Sequence, residues 1–437
     1  MSRVSHGIDR VRVDFDDPNL VANAGLMLVG TLAVRLELEQ LVNSLVRLGA
    51  RVGGARPGRK VLTLVAAIVA GGSHIDHADV LRSGGTQRVL PFRVMAPSTL
   101  GTFLRAFTFG HVRQLEAVVG KALGRAWAAG AGPGAARLVI DLDSTICQVA
   151  GKSKGGAAYG YTKVLGYHPI LATRAQTGEV LHARMRKGSA NTSRGTKRFI
   201  DELIARVRRC GSTAEIVARM DSGFWSYGTI KSLGRLDVRF TMAVQATNSA
   251  IAAAISGIDH DAWVGIDYTP DGEAQVAECT YKGLRLVVRR TRLTDRAQAR
   301  LFPHWRHFAF LTDLDGDTAA TDAFHRQHAV VELAIRDLKE GAGMEHVPSA
   351  DFSANSAWLQ CAVLAHNLIR WTATIGEPEP IRELTVARTL RTRLIAIPAR
   401  IVNRSGSVVL RGPKNWPWSE WFHRRLDALR LLEPQTC

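Results

Sequence analysis

Arg137-Leu-Val-Ile-Asp-Leu-Asp-Ser-Thr145 is the stretch on which the fold of this chain turns. It follows a breaker segment, Ala128-Ala-Gly-Ala-Gly-Pro-Gly134. Its aliphatic, β-branched run predicts a buried strand over residues 137–143. Side chains alternate along a strand, so Asp141 and Asp143 share one face. An unpaired buried charge is costly, so two carboxylates near the end of a core strand point to chemistry or to a bound cation. The plainer alternative is an Asp that caps the following turn through Ser144 or Thr145.

Working outward, further strands are predicted at residues 168–173, 179–185, 215–221 and 238–244, with an amphipathic helix over 196–209. Asp221 ends one of these strands before Ser222-Gly223-Phe224, where the glycine permits a tight turn. Strands dominate from about 246 to 310, at residues 263–268, 275–281, 284–290 and 307–311, with turns at Asp271-Gly272 and Lys282-Gly283. A helix follows over residues 321–340, capped by Thr321 and stopped by Gly341. Its spacing places His325, His328, Glu332 and Lys339 on roughly one face. A solvated face with Glu332 paired to Arg336 is the competing reading. A second helix is predicted over 356–371. Residues 1–135 read as mostly helical, with Leu38, Leu41, Leu45 and Leu48 at helical spacing. The fold class is therefore α/β, with a helical N-terminal unit.

The chain has 437 residues, of which 57 are Lys or Arg and 39 Asp or Glu, for a formal charge of +18. A hydrophobic share of 46% with 22% charged residues excludes a mainly disordered chain. Five cysteines without a C-x-x-C pair exclude a disulfide scaffold and a thiolate zinc site. The longest mostly apolar run, residues 61–70, is half of the roughly 20 residues a membrane span needs. No apolar leader is visible, and a cytoplasmic, nucleoid-associated protein is expected. GxxxxGK[ST] is absent, so no nucleotide cofactor is expected, and G-x-S-x-G is absent too. Asp313-Leu-Asp-Gly-Asp317 fails as a calcium loop, with Thr318 at position six and Phe324 at position twelve. His74/His77, His304/His307 and His325/His328 are spaced like half-sites for zinc but have no cysteine near them. A basic chain of this kind is expected to meet nucleic acid.

If Asp143, Asp221 and Glu332 converge, they cannot all ionise side by side without cations. Mg²⁺ or Mn²⁺ suits an all-oxygen set, and two such ions about 3.5–4 Å apart activate the attacking oxygen and stabilise the leaving oxygen of a phosphodiester. A basic protein with that site is a strand-transfer enzyme or a nuclease.

The sequence resembles the DDE transposases of bacterial insertion sequences, specifically the IS1380-type group within the IS4-like set. The resemblance rests on Asp141-Leu-Asp-Ser-Thr145, the Gly/Lys/Tyr stretch from Gly151 to Tyr161, and Gly166-Tyr-His-Pro169. It continues through Thr177-Gly-Glu-Val-Leu181, Arg186-Lys-Gly-Ser-Ala190 and Arg219-Met-Asp-Ser-Gly-Phe224. The last blocks are the Glu332 helix through Lys339-Glu-Gly341, and Ala365-His-Asn-Leu-Ile-Arg-Trp371. Single blocks are weak, but their order and spacing together are specific and span about residues 20–430.

The resemblance implies a ribonuclease-H-like mixed sheet flanked by helices and interrupted by a β-rich insertion. It implies Asp143, Asp221 and Glu332 as catalytic residues and ligands for two Mg²⁺ or Mn²⁺ ions. Relatives carry Tyr-x-x-Arg-x-x-x-Glu with Lys seven residues on. Here Glu332 and Lys339 keep their places, while His325 and His328 stand at the Tyr and Arg positions. Asp141, Lys339, His328 and His325 are auxiliary candidates. Lys152, Lys154, Lys163, Arg326, Arg336 and Lys339 are candidates for DNA contact, and Arg184, Arg186 and Lys187 are further basic residues at the end of a strand.

The expected division is a helical DNA-binding or dimerisation unit (1–135), a core in two parts (136–245 and 311–375), the insertion (246–310) and a basic C-terminal region (376–437). The expected activity is binding of the element's terminal inverted repeats, hydrolysis at its ends and joining of the 3′-OH ends to target DNA. The expected partners are double-stranded DNA and a second subunit on that DNA. The competing functions are a non-catalytic repressor and a nuclease without strand transfer.

Overall fold

The computed structural model describes residues 8–160, 162–268, 272–293, 305–377 and 385–434. Tyr161, Asp271 and His304 lie outside the described residues.

The quoted stretch is a strand, β2 (Leu138–Ser144), buried over its first five residues. Strand β1 (Leu20–Val21) precedes it, and β3 (Cys147–Gln148), β4 (Ala158–Tyr159) and β5 (Leu165–Tyr167) form a small sheet after it. Strands β6 (Ile170–Arg174) and β7 (Val180–Arg184) then pair antiparallel beside β2, β7 following β6 by a short connection. Strands β8 (Ile216–Met220) and β9 (Arg239–Val244) continue the other side in parallel. Parallel pairing needs crossovers, and helices α6 (Thr196–Arg209) and α7 (Tyr227–Arg235) supply them. Helix α6 has the bounds expected from its pattern and buries Phe199, Ile200, Leu203, Ile204 and Val207.

The strand-dense region is continuous with this sheet. Strands β10 (Val264–Gly265), β11 (Gly272–Tyr281), β12 (Leu284–Leu293) and β13 (Arg306–Thr312) extend it in antiparallel fashion beyond β9. The described sheet thus runs β10-β11-β12-β13-β9-β8-β2-β6-β7. Lys282 and Gly283 both take positive φ, the two-residue turn that matches strand twist. The strand expected over 263–268 is shorter, Val264–Gly265.

Among the described residues, five α-helices precede β2: α1 (Leu26–Arg35), α2 (Leu38–Leu45), α3 (Pro57–Val69), α4 (Pro97–Arg105) and α5 (Phe109–Ala126). Helix α8 (Ser249–Ser256) packs on the sheet extension.

The helix expected over residues 321–340 starts earlier and is broken. Helix α9 (Thr318–Arg326) is capped by Asp317, whose carboxylate accepts from the Ala320 N–H. Thr321 instead donates its hydroxyl to the Asp317 carbonyl, inside the first turn. A tight turn at Gln327–Ala329 leads into α10 (Val330–Arg336), and a wide turn over Asp337–Gly341 ends it.

Helix α11 (Phe352–Thr374) is buried along almost its whole length and packs against α3, α5 and β7. It also covers the edge strand β7. Asn367 hydrogen-bonds both the N–H and the carbonyl of Val180, and Gln360 donates to Ala183. His366 bonds the Gly178 carbonyl, and Trp371 donates to Glu179. Covering an edge this way prevents unwanted pairing with other chains. The blocks 177–181 and 365–371 of the sequence are therefore two sides of one contact. Helix α12 (Ala387–Leu390), the hairpin β14 (Ala399–Arg404) and β15 (Ser407–Arg411), and α13 (Ser419–Leu431) complete the described chain. The N-terminal helices and the sheet share one continuous hydrophobic cluster, from Leu26 to Leu429.

Candidate active site

The chain path brings Asp143, Asp221 and Glu332 into one cleft. Asp143 comes from the end of β2 and Asp221 from just beyond β8, the neighbouring parallel strand. Glu332 lies in the first turn of α10, which packs on β2. All three line a cavity of about 880 Å³, with His325, Arg326 and His328. Asp143 and Glu332 also line an adjoining cavity of about 320 Å³, with Thr145, Arg336 and Lys339. The acids thus stand where two cavities meet.

None of the three has a guanidinium or ammonium within ion-pair distance among the described residues. Among the described residues, Asp143 accepts from the Ser144 N–H alone and Asp221 from the Ser222 N–H alone. The expected i,i+4 alternative, Glu332 with Arg336, does not form. Burial, followed by the negative charges of Asp221 and Glu332, pushes the Asp143 carboxyl up to about 6 against the pull of Ser144 and His328. The site is short of positive charge.

Asp141 has a different role from Asp143. It is fully buried and forms a fork with Arg219, with Oδ1 accepting from Nε at 2.7 Å and Oδ2 from Nη2 at 2.9 Å. The two residues are register partners on β2 and β8. Arg219 also donates to the Phe324 carbonyl near the end of α9, and its guanidinium lies 5.0 Å from the Phe324 ring centroid. Asp141 accepts in turn from His328 Nδ1 at 2.9 Å. Arg219 was not among the residues expected at the site. Its signal was present, because two buried neighbouring strands carry opposite charges two residues before their terminal acids.

His325 bonds Thr241 Oγ1 through Nδ1 at 2.7 Å and stacks on Phe310 with ring centroids 4.2 Å apart. Burial, then the neighbouring His328, Arg219 and Arg289, lowers its pKa to about 3. It therefore offers no charge to a phosphate at neutral pH.

The basic candidates divide. Arg326 pairs with Asp322 and lies over the Tyr268 ring. Arg336 and Lys339 reach the smaller cavity, where Lys339 is 3.6 Å from Glu345. Lys152 and Lys163 are exposed and line neither cavity. The Lys154 ammonium is spent on the carbonyls of Val347 and Ser349. Arg186 likewise serves the carbonyls of His168, Asn191, Thr192 and Arg194. That loop is tightly laid, since a Cβ on Gly188 would fall 2.0 Å from the Gly166 oxygen. Arg239 holds Asp313 and Asp315, so the run 313–317 is a turn with structural partners. Trp416 and Trp421 donate their indole N–H groups to Arg393 and Glu377.

A second acidic cluster escaped the sequence reading. Among the described residues, Glu116 (α5), His182 (β7) and Glu202 (α6) form the one group of three possible ligand side chains whose ligand atoms all lie within 4.8 Å. It does not resemble a cation site. Arg113 and Arg184 each contact both glutamates, and Arg198 bonds Glu202. Burial raises Glu202, but the nearby His182 and the hydrogen bonds of Arg198 and Arg113 outweigh it and hold the carboxyl at about 2. His182 stacks on Phe199, and burial lowers its pKa to about 3. Its Nε2 is 3.5 Å from Glu202, beyond a good hydrogen bond.

A mixed sheet flanked by helices thus delivers three acids with no cationic partner among the described residues to one cleft, an all-oxygen donor set of the kind hard divalent cations take. Comparison with known proteins narrows the class: the family described as "Transposase DDE domain group 1" matches residues 5–434, and the chain belongs to it. The chain is a DDE transposase. No curated protein matches it. Among solved structures it is similar to a piggyBac transposase in a synaptic complex with hairpin DNA, at 13% identity and a TM-score of 0.47. That likeness covers 86% of this chain and 79% of the other, and is too distant to carry an argument. Among the described residues, no helix is long and apolar enough to cross a membrane.

Proposed function

We propose that the chain is the transposase of an IS1380-type insertion sequence, acting on the DNA of its own element in the cytoplasm. It binds the terminal inverted repeats, hydrolyses the phosphodiester at each end and joins the freed 3′-OH ends to target DNA. The observation that carries this reading is the charge imbalance of the cleft. In a protein of net charge +18, Asp143, Asp221 and Glu332 converge with no cationic partner among the described residues, and Asp143 is pushed up to about 6.

The donor set fits a hard divalent cation, because it is all carboxylate and lacks the positive charge it needs. Mg²⁺ or Mn²⁺, two ions in this reading, would be held by Asp143, Asp221 and Glu332 and would supply activation of the attacking oxygen and neutralisation of the leaving one. The remaining roles belong to the chain's own side chains. Lys339 and Arg336, in the smaller cavity, hold end phosphates. Arg326 extends the basic lining on the other side, and Lys152 and Lys163 track the DNA backbone further out. The strands β7-β6-β2-β8-β9 are read as a ribonuclease-H-like core, β10–β13 as its insertion, and the N-terminal helices as the end-binding and pairing unit of a homodimer on DNA.

The test uses DNA flanking the reading frame, purified protein, and Mg²⁺ or Mn²⁺, with nicks mapped on both strands. Metal-dependent nicks at the element's ends, absent in Glu332→Ala, and 3′ ends joined to a target plasmid are expected. Specific binding without cutting would reassign the chain as a repressor. Cutting without joining would make it a nuclease.

A further inference from the structure

We propose that a small pocket beside Asp221 takes one unpaired nucleobase of the element's DNA end, next to the bond that is cut, and reads its edge with Gln245 and Asn248. The inference rests on the proposed cutting reaction and adds a specificity subsite to it.

The pocket measures about 290 Å³ and is lined by Ser222, Trp225, Gln245, Asn248, Ile251 and Tyr281. Four separate parts of the chain build its walls: the turn after β8, the segment after β9, helix α8 and the end of β11. Ser222 also lines the larger cavity that holds Asp143, Asp221 and Glu332, so the pocket adjoins the cleft. A phosphodiester seated at the acids therefore has its neighbouring base within reach of the pocket.

The lining suits a flat heteroaromatic ring. Trp225 and Tyr281 supply aromatic surface and Ile251 an aliphatic wall. Tyr227 packs edge-on against Trp225, with ring centroids 4.8 Å apart. Among the described residues the Gln245 amide has no partner. Asn248 caps α8 with its oxygen, which accepts from the Ala250 N–H, and its amide N–H groups stay uncommitted. An amide offers a donor and an acceptor side by side, the pattern that pairs with a base edge. No charged side chain stands among the six lining residues. The nearest cation sits at the rim. The Lys282 ammonium, at the β11–β12 turn, lies 5.2 Å from the Tyr227 ring centroid and 5.5 Å from that of Tyr281. Rings and amides inside with a cation outside fit a nucleotide whose base enters and whose phosphate does not. A base still paired in a duplex cannot enter, so the occupant is one that has left its partner.

Asp221 and Trp225 belong to the same tight turn. The Phe224 N–H donates to the Asp221 carbonyl, and the Trp225 N–H to the Ser222 carbonyl. A Cβ on Gly223 would fall 2.8 Å from Thr192, so the turn lies close on its neighbour. A base seated against Trp225 is thereby held in fixed relation to an acid at the cut, and its identity is expected to act on kcat as well as KM.

The test uses end duplexes that carry each of the four bases in turn at the positions flanking the cut, with Mn²⁺. At one position kcat/KM should differ at least about tenfold between the best and the worst base, the scale of one read edge. Gln245→Ala and Asn248→Ala should each flatten that preference to within about threefold. Trp225→Phe should keep the preference and Trp225→Leu should lose it. In parallel, iodouracil is placed at each position near the end, and the metal-free complex is irradiated. One position should crosslink to Trp225 or Tyr281, a readout that needs binding but no cutting. That crosslink in a parent that does not cut would keep the pocket and fault the cutting reaction. A parent that cuts but crosslinks elsewhere would overturn the pocket. So would a Gln245→Ala variant that slows cutting equally for all four bases, the mark of a backbone contact or a structural role.

Discussion

Glu116 and Glu202 are wrapped by Arg113, Arg184 and Arg198, whereas Asp143, Asp221 and Glu332 converge with no arginine or lysine in contact among the described residues. The two regions use the same side-chain chemistry in different places on one sheet, the first at its edge strand β7 and the second at the ends of the interior strands β2 and β8. In the first, positive charge is built in, and the carboxylates join α5, β7 and α6. In the second it is withheld, and Asp143 is pushed up to about 6. Proximity of acids therefore does not identify a reactive site. The tighter cluster is the one filled with guanidiniums, and the cation site proposed above is the wider one that lacks them.

The largest test of that contrast is activity. Asp143→Asn, Asp221→Asn and Glu332→Gln should each reduce end cutting at least about 10³-fold, as expected when charge stabilisation at the reacting centre is lost. Their melting temperatures should stay level or rise, since each removes a repelling charge. A variant that keeps half its cutting rate would break the assignment.

Glu116→Ala should do the reverse. Removing Glu116 leaves Arg113 and Arg184 to share Glu202 alone and costs on the order of 1–3 kcal/mol. Chemical denaturation should register that loss, while the cutting rate per folded molecule is unaffected.

Divalent metal should distinguish the regions in the absence of DNA. A cation that binds only the folded state raises stability on the order of 1–3 kcal/mol at concentrations well above its Kd. Thermal melts with Mn²⁺ should shift for the parent and for Glu202→Gln, and stay put for Glu332→Gln. A shift lost in Glu202→Gln instead would move the cation to the arginine-rich cluster.

The smallest effect is a pH slope. His182 titrates near 3 in the folded protein against 6.5 for an unperturbed imidazole, and Glu202 near 2 against 4.5 for an unperturbed glutamate. In both, the unfolded chain takes up the proton first. Their contribution is thus present above the unfolded values and is lost as pH falls, from about 6.5 for His182 and from about 4.5 for Glu202. His182→Phe, which can still stack on Phe199, should flatten the dependence of melting temperature on pH between about 6.5 and 4. An unchanged slope would assign acid sensitivity elsewhere.

The chain path was legible where local rules and tertiary demand agree. Strand β2, helix α6 and the Lys282-Gly283 turn stand where pattern and turn chemistry put them, and the three acids meet as their placement on strand ends and a helix face implied. What sequence concealed was set by distant partners. Thr321 is an acceptable cap, but Asp317 lies earlier in the chain and caps more strongly. The break at Gln327–Ala329 follows no Gly or Pro and coincides with side chains reaching across to β2 and β8. Lys154 and Arg186 look like surface charge in a one-dimensional reading and turn out to hold backbone carbonyls. The partner of Asp141 sits 78 residues away and becomes apparent only once β2 and β8 are in register.

Helix α11 carries an implication for dissecting the protein. It is sunk among α3, α5 and β7, and its Asn367, Gln360 and Trp371 complete hydrogen bonds for the sheet. Any fragment ending near the glycine-rich segment at 128–134 would strip α3 and α5 from this shaft and leave apolar faces wet on both pieces. Loss of function by truncation will therefore report collapse of the whole molecule. The DNA binding and cutting proposed above are to be separated by exchanging surface side chains on an intact chain.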